Sequence, residues 1–201
     1  MFHQLWIRGR NPFRTFGLDA RRPGVDLAWG VGLFVAIGLG TLAVYAAGRA
    51  AGVTTAIVGS GLDEYWWTTP VLVLSALRHA LLEEVIVVAW LFDRLGYLQQ
   101  LRSGLDPARP GEPGGLRTWA SGGVVPLNAT AVVVGCAVLR GAYHLYQGIG
   151  PGVGNMLMGL VFGALYLRYR RVMPLVIAHL VLDVAGFVAY PVLSQLGLFG
   201  T

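Results

Sequence analysis

Nine residues of this 201-residue chain stand where a long apolar stretch would not be expected to hold them: Arg78, His79, Glu83, Glu84, Arg140, Tyr143, His144, His179 and Asp183. All but Tyr143 are ionisable near neutral pH or permanently charged. In lipid each of these costs on the order of kcal/mol unless it is paired or hydrated. Their spacing repeats. His79 with Glu83, Arg140 with His144, and His179 with Asp183 are i, i+4 pairs, so each pair occupies one face of a helix. Three polar faces on three apolar helices are satisfied together by turning toward a common interior. Such an interior would hold adjacent carboxylates, two or three imidazoles and a guanidinium, which is material for acid–base chemistry or metal binding. Tyr143, beside His144, is a possible proton donor. Structural readings stand next to these. A single histidine in a membrane helix can simply hydrogen-bond a neighbouring helix. His79 next to Glu83 fits a structural hydrogen bond as well as a ligand. Arg78 and Arg140 can serve as counter-ions that keep Glu84 and Asp183 ionised, and for Arg78 this is the preferred reading.

The elements that must position these residues follow from composition. The chain is 55% apolar and only 12% charged, with a mean hydropathy of +0.62. Twenty-five charges on five long apolar stretches cannot clothe a soluble fold. Its one cysteine, Cys136, excludes an intrachain disulfide and a multi-cysteine metal site. About 20 apolar residues cross a bilayer, and five such stretches are present: Leu27 to Gly48, Thr69 to Phe92, Val124 to Tyr146, Val153 to Leu167 and Met173 to Leu198. The expected fold is an all-α polytopic transmembrane helix bundle of about five spans, forming a single integral membrane domain over 1–201. Residues 1–26 form a basic N-terminal segment. Residues 93–123, with Pro107, Pro110, Pro113 and the pair Gly114–Gly115, read as a flexible connector. Gly148 to Gly154 reads as a tight turn or a re-entrant segment, and Gly159 with Gly163 as a close helix contact.

All 15 basic residues are arginine, and twelve of them fall in alternate loops, which places the N-terminus in the cytoplasm and the C-terminus outside. The pI near 9.8 is thereby explained by topology, and a nucleic-acid partner loses its support. Counting about 1.5 Å per residue, His144 lies near the outer end of its span and His179 nearer the cytoplasmic end of its own. A common site therefore requires span three to continue past Tyr146, or the glycine-rich turn to fold back.

With these residues in hand, the sequence resembles the CPBP family of intramembrane proteases, also called the CaaX protease and bacteriocin-processing or Abi family. That family carries a Glu-Glu-x-x-x-Arg helix, a Phe-x-x-x-His helix and a His-x-x-x-Asn or His-x-x-x-Asp helix. Here the motifs are Glu83-Glu84-Val85-Ile86-Val87-Val88, Arg140-Gly141-Ala142-Tyr143-His144 and His179-Leu180-Val181-Leu182-Asp183. The resemblance covers roughly residues 70–190. Val88 stands in place of the family's arginine and Arg140 in place of its phenylalanine, which suggests a relocated guanidinium with Arg140 reaching across to Glu84.

The resemblance implies an intramembrane endopeptidase. Glu83 would activate water, His144 would help to hold it, and His179 with residue 183 would steady the oxyanion. Glu84 completes the catalytic set, with Arg140, His79 and Tyr143 in support. Ionised Asp183 cannot donate to an oxyanion, so it must be protonated, orient His179 or bind a metal. Glu83, His144 and His179 would offer zinc an open three-ligand site, although no His-Glu-x-x-His sequence is present, and a metal-independent mechanism is the counterpart. The implied substrate is a peptide or membrane protein, reached from the lipid of a bacterial plasma membrane. The alternative is a non-catalytic member of the same fold acting as an immunity, assembly or scaffold factor. A transporter ranks third, since no internal repeat is visible.

Overall fold

The computed structural model describes residues 9–51, 65–110 and 112–189. Its elements are all helical among the described residues, with only isolated β-bridges at Asp106–Gly115 and Thr118–Val124. The chain divides into two compact units, one of Met1–Arg22 with Leu82–Met173 and one of Pro23–Leu81 with Pro174–Thr201.

The first unit opens with a short helix α1 (Pro12–Phe16). Asn11 caps it by accepting from the Arg14 amide at 3.2 Å, proline occupies its first turn, and Gly17 closes it in the left-handed region at φ 66°. In the second unit, α2 (Pro23–Ala50) begins four residues before the expected span. It packs on α7 (Met173–Val184) at Gly30, where an added Cβ would lie 2.5 Å from the Ile177 side chain and 3.2 Å from the Pro174 carbonyl oxygen. Trp66 and Trp67 lie exposed just before α3 (Thr68–Leu82), as amphipathic rings do at headgroup depth.

A π-helical stretch, Glu83–Trp90, follows α3 directly, and α4 (Leu91–Arg102) follows it. The helix expected to end at Phe92 therefore continues ten residues into the segment read as a loop. The remainder of that segment is folded back onto α4, which corrects its reading as a flexible connector. Gln100, fully buried, donates to the carbonyls of Arg117 (2.8 Å) and Val125 (2.5 Å) and accepts from the Arg117 amide (2.6 Å). Gln99 holds the Asn128 amide at 3.0 Å. Residues 124–128, expected to begin span three, are loop, because Asn128 caps α5 (Ala129–His144) by accepting from the Ala131 amide at 2.9 Å.

A 3₁₀ turn, Leu145–Gln147, carries this helix just past Tyr146. The glycine-rich stretch does not fold back. Gly148, at φ 117°, makes a tight turn, and α6 (Ile149–Tyr169) starts at once, four residues earlier than expected. The helices α5 and α6 touch through glycine. An added Cβ at Gly141 would meet Met156 Cβ at 2.8 Å, and one at Gly159 would meet Ala137 Cα at 3.0 Å. The reading of Gly159 and Gly163 as a close contact holds.

Three helical segments are long and apolar enough to cross a membrane: Pro23–Ala43, Ala129–Gln147 and Ile149–Tyr169. A shorter apolar helix covers Met173–Val188, and the end of the expected fifth span lies outside the described residues. The expected second span falls outside the set because Arg78, Glu83, Glu84, Asp93 and Arg94 lie along it.

Candidate active site

The first unit brings four of the expected residues together. Glu83 and Glu84 open the π-helical stretch. Hydrogen bonding from i to i+5 widens the turn, so neighbouring residues stand closer in angle than the roughly 100° of an α-helix. One guanidinium can then meet both carboxylates. Arg140 of α5 does so, with Nη1 2.7 Å from Glu84 Oε1 and Nη2 3.1 Å from Glu83 Oε2. Arg140 and Glu84 are completely buried. Gly159 makes room for the arginine, since an added Cβ there would lie 3.3 Å from Arg140 Cδ. On the other side the guanidinium carbon lies 5.7 Å from the centre of the Phe162 ring.

His144 stands one turn beyond Arg140 on the same helix. Its Nδ1 lies 2.9 Å from the Arg140 carbonyl oxygen. A carbonyl only accepts, so Nδ1 carries a proton and the neutral ring presents a lone pair at Nε2. That nitrogen is 3.7 Å from Glu83 Oε1, too far for a direct hydrogen bond. The Tyr143 ring tilts against His144 with centroids 4.6 Å apart, and its hydroxyl is buried. Two carboxylates, one guanidinium and a neutral imidazole leave this cluster with an excess of acceptors and of negative charge.

The remaining expected residues lie in the second unit. Arg78 donates from Nη2 to His79 Nε2 at 2.7 Å. This makes the His79 nitrogen an acceptor, and the preferred reading of Arg78 as counter-ion to Glu84 is corrected: Glu84 takes Arg140. His179 Nε2 and Asp183 Oδ1 are 3.6 Å apart, as their spacing on α7 requires.

The sequence model of Rce1-like type II CAAX prenyl endopeptidases matches residues 65–185, more than half the chain and all three motifs. The chain belongs to this family. No curated protein and no solved structure matches it. The Rce1-like family is one of membrane proteases, in agreement with the apolar helices, so the chain is an integral membrane protein of an endopeptidase family.

A second polar cluster in the first unit was not foreseen. Asp93, fully buried, accepts from Arg10 Nη2 and Arg94 Nη2, both at 2.9 Å, and from the Val124 amide at 2.8 Å. Arg10 and Arg94 had been read only as topology signals. The one hint in the sequence was an aspartate directly after the apolar run that ends at Phe92.

Proposed function

We propose that this Rce1-like chain is an intramembrane endopeptidase in which Glu83 activates the attacking water. One observation carries the reading: the Glu83 carboxylate lies between the Arg140 guanidinium at 3.1 Å and the Nε2 lone pair of His144 at 3.7 Å. Two acceptors at that separation suit a single water that donates one hydrogen to each. As its oxygen attacks the peptide carbonyl, the water gives a proton to Glu83, and a tetrahedral intermediate forms. Glu83 then passes that proton to the leaving amine as the C–N bond breaks. Arg140 holds Glu83 in place and neutralises Glu84, so the base is not opposed by a second free carboxylate. Carried over by motif position, His179 steadies the oxyanion, and Asp183 keeps the His179 ring in register.

His144, with Nδ1 on a carbonyl and Nε2 free, has the arrangement of a metal ligand. Glu83 does not, because a divalent ion on its carboxylate would face the fixed charge of Arg140 at 3.1 Å. The reading is therefore of a metal-independent enzyme rather than a zinc enzyme. Metal analysis of purified protein with chelator treatment tests this, and a stoichiometric metal whose removal ends turnover would reverse it. We place the chain in a bacterial plasma membrane with its N-terminus in the cytoplasm, on the arginine distribution.

Purified protein in liposomes, offered membrane-embedded peptides and a prenylated C-terminal peptide, should cleave at least one of them, and Glu83→Gln should not. A Glu83→Gln protein that keeps full biological function in cells would instead favour the scaffold reading, to which the loss of arginine at Val88 lends itself.

A further inference from the structure

The donors and acceptors around Asp93 do not balance. Arg10, Arg94 and Arg170 gather with Tyr166 around a single carboxylate, and the oxygens of that carboxylate are already taken by Arg10, Arg94 and the Val124 amide. Arg170 lies with its guanidinium carbon 3.5 Å from the centre of the Trp119 ring and 4.3 Å from that of Tyr166. Its Nε, Nη1 and Nη2 are buried and have no hydrogen-bond partner among the described residues. The same is true of the Tyr166 hydroxyl, whose side chain is wholly buried, and of Nε in both Arg10 and Arg94. Ring faces satisfy a guanidinium's charge in part but accept none of its in-plane N–H groups. Burial accordingly lowers the Arg170 pKa from its ordinary value, with Tyr166 and Asp93 acting the other way.

The surroundings are shaped to this arginine. Arg170 adopts the left-handed region at φ 54°, unusual for a residue with a Cβ. The Trp119–Val124 turn closes over it through Gly123, where an added Cβ would fall 2.5 Å from Arg170 Nη2. A cavity of about 470 Å³ borders the cluster, sharing Arg10 and Val124 with it and walled by Leu116 and Thr118. Arg170 follows the last residue of the 21-residue apolar helix Ile149–Tyr169, which puts it at headgroup depth.

We propose that Arg10, Arg94, Arg170 and Tyr166 form a binding site for a phosphate-bearing anion at the membrane surface. Three guanidiniums against one carboxylate leave a net charge of plus two. The missing partner is acceptor-only and negative, which describes a phosphate group. An anionic phospholipid headgroup and free phosphate both supply that chemistry, and the cavity beside Arg10 is the way in. The proposal is independent of the peptidase reading.

The test is thermal unfolding of the full chain in detergent after removal of lipid, titrated at matched ionic strength with short-chain phosphatidylglycerol, inorganic phosphate and diacylglycerol of the same chain length. Saturable stabilisation by phosphatidylglycerol alone identifies a lipid headgroup, and stabilisation by phosphate as well identifies the free ion as sufficient. Either supports the site. Arg170→Gln should weaken the apparent affinity about tenfold or more. Tyr166→Phe, which removes one hydroxyl and keeps the ring, should weaken it several-fold and decides the matter if Arg170→Gln does not fold. The proposal is overturned if neither phosphate compound stabilises the protein, if diacylglycerol does so equally, or if a folded variant binds as the natural chain does.

Discussion

Two polar clusters within one unit of this protein solve the burial of charge in opposite ways. At the head of the π-helical stretch, one arginine answers two carboxylates and a neutral histidine, so acceptors are in surplus. About one carboxylate there has no full counter-charge, and such a group can take a proton from water. Beyond the other end of that stretch, Asp93 faces Arg10 and Arg94 directly with Arg170 nearby, and donors are in surplus. The first ratio makes a base and the second calls for an anion. The same side-chain chemistry is used in both, and the stoichiometry of carboxylate to guanidinium separates their roles.

Changing that stoichiometry is the way to break the comparison. Arg140→Phe should have the largest effect on stability, about 3–5 kcal/mol, because it strands the wholly buried Glu84. Adding Val88→Arg to that variant returns a guanidinium to the position that the family motif gives it, and should recover much of the stability and activity. Denaturant unfolding and peptide cleavage of both variants check this. An Arg140→Phe protein with unchanged stability and turnover would remove the relocation from the account.

Asp93→Asn should cost less, about 2–3 kcal/mol, since Arg10 and Arg94 keep side-chain exposures of 19% and 18% and regain some hydration. The variant sharpens the contrast, because it raises the positive charge of the donor-rich cluster. Phosphate should therefore bind more tightly to Asp93→Asn than to the natural chain while the phosphate-free protein melts lower. Both follow from one thermal titration, and equal or weaker binding would count against the stoichiometric view.

Gly159→Ala should have the smallest effect, about 1–2 kcal/mol, as its Cβ presses on the Ala137 backbone at 3.0 Å and the Arg140 stem at 3.3 Å. Part of the loss should appear as reduced turnover per folded molecule, because the stem positions the guanidinium. Melting and cleavage assays on the same preparation separate the two components.

The acceptor-rich cluster was legible in the sequence to a large extent and the donor-rich cluster hardly at all. Glu83, Glu84, Arg140 and His144 stand out because charge is rare in apolar stretches, and helical spacing puts Arg140 and His144 on one face. What spacing did not disclose is that Arg140 holds both carboxylates, since that depends on a π-helical turn which no residue pattern announces. Asp93 lies at the boundary where charge is ordinary, and its partner Arg10 is 83 residues away in the chain. The loop that folds onto Gln100 looked flexible for a related reason. Its prolines and glycines signal turns, whereas its order comes from one buried amide that makes three hydrogen bonds to distant backbone.

The central claim is that Glu83 is the base of a peptidase that runs without a metal. Its most direct test is turnover of a cleavable membrane peptide by reconstituted protein in the presence of chelator, with the natural chain set against a Glu83→Gln variant of equal melting temperature. The account predicts that turnover by the natural chain survives the chelator and falls by a factor of about 10² or more in Glu83→Gln. Equal turnover by the two proteins would contradict it.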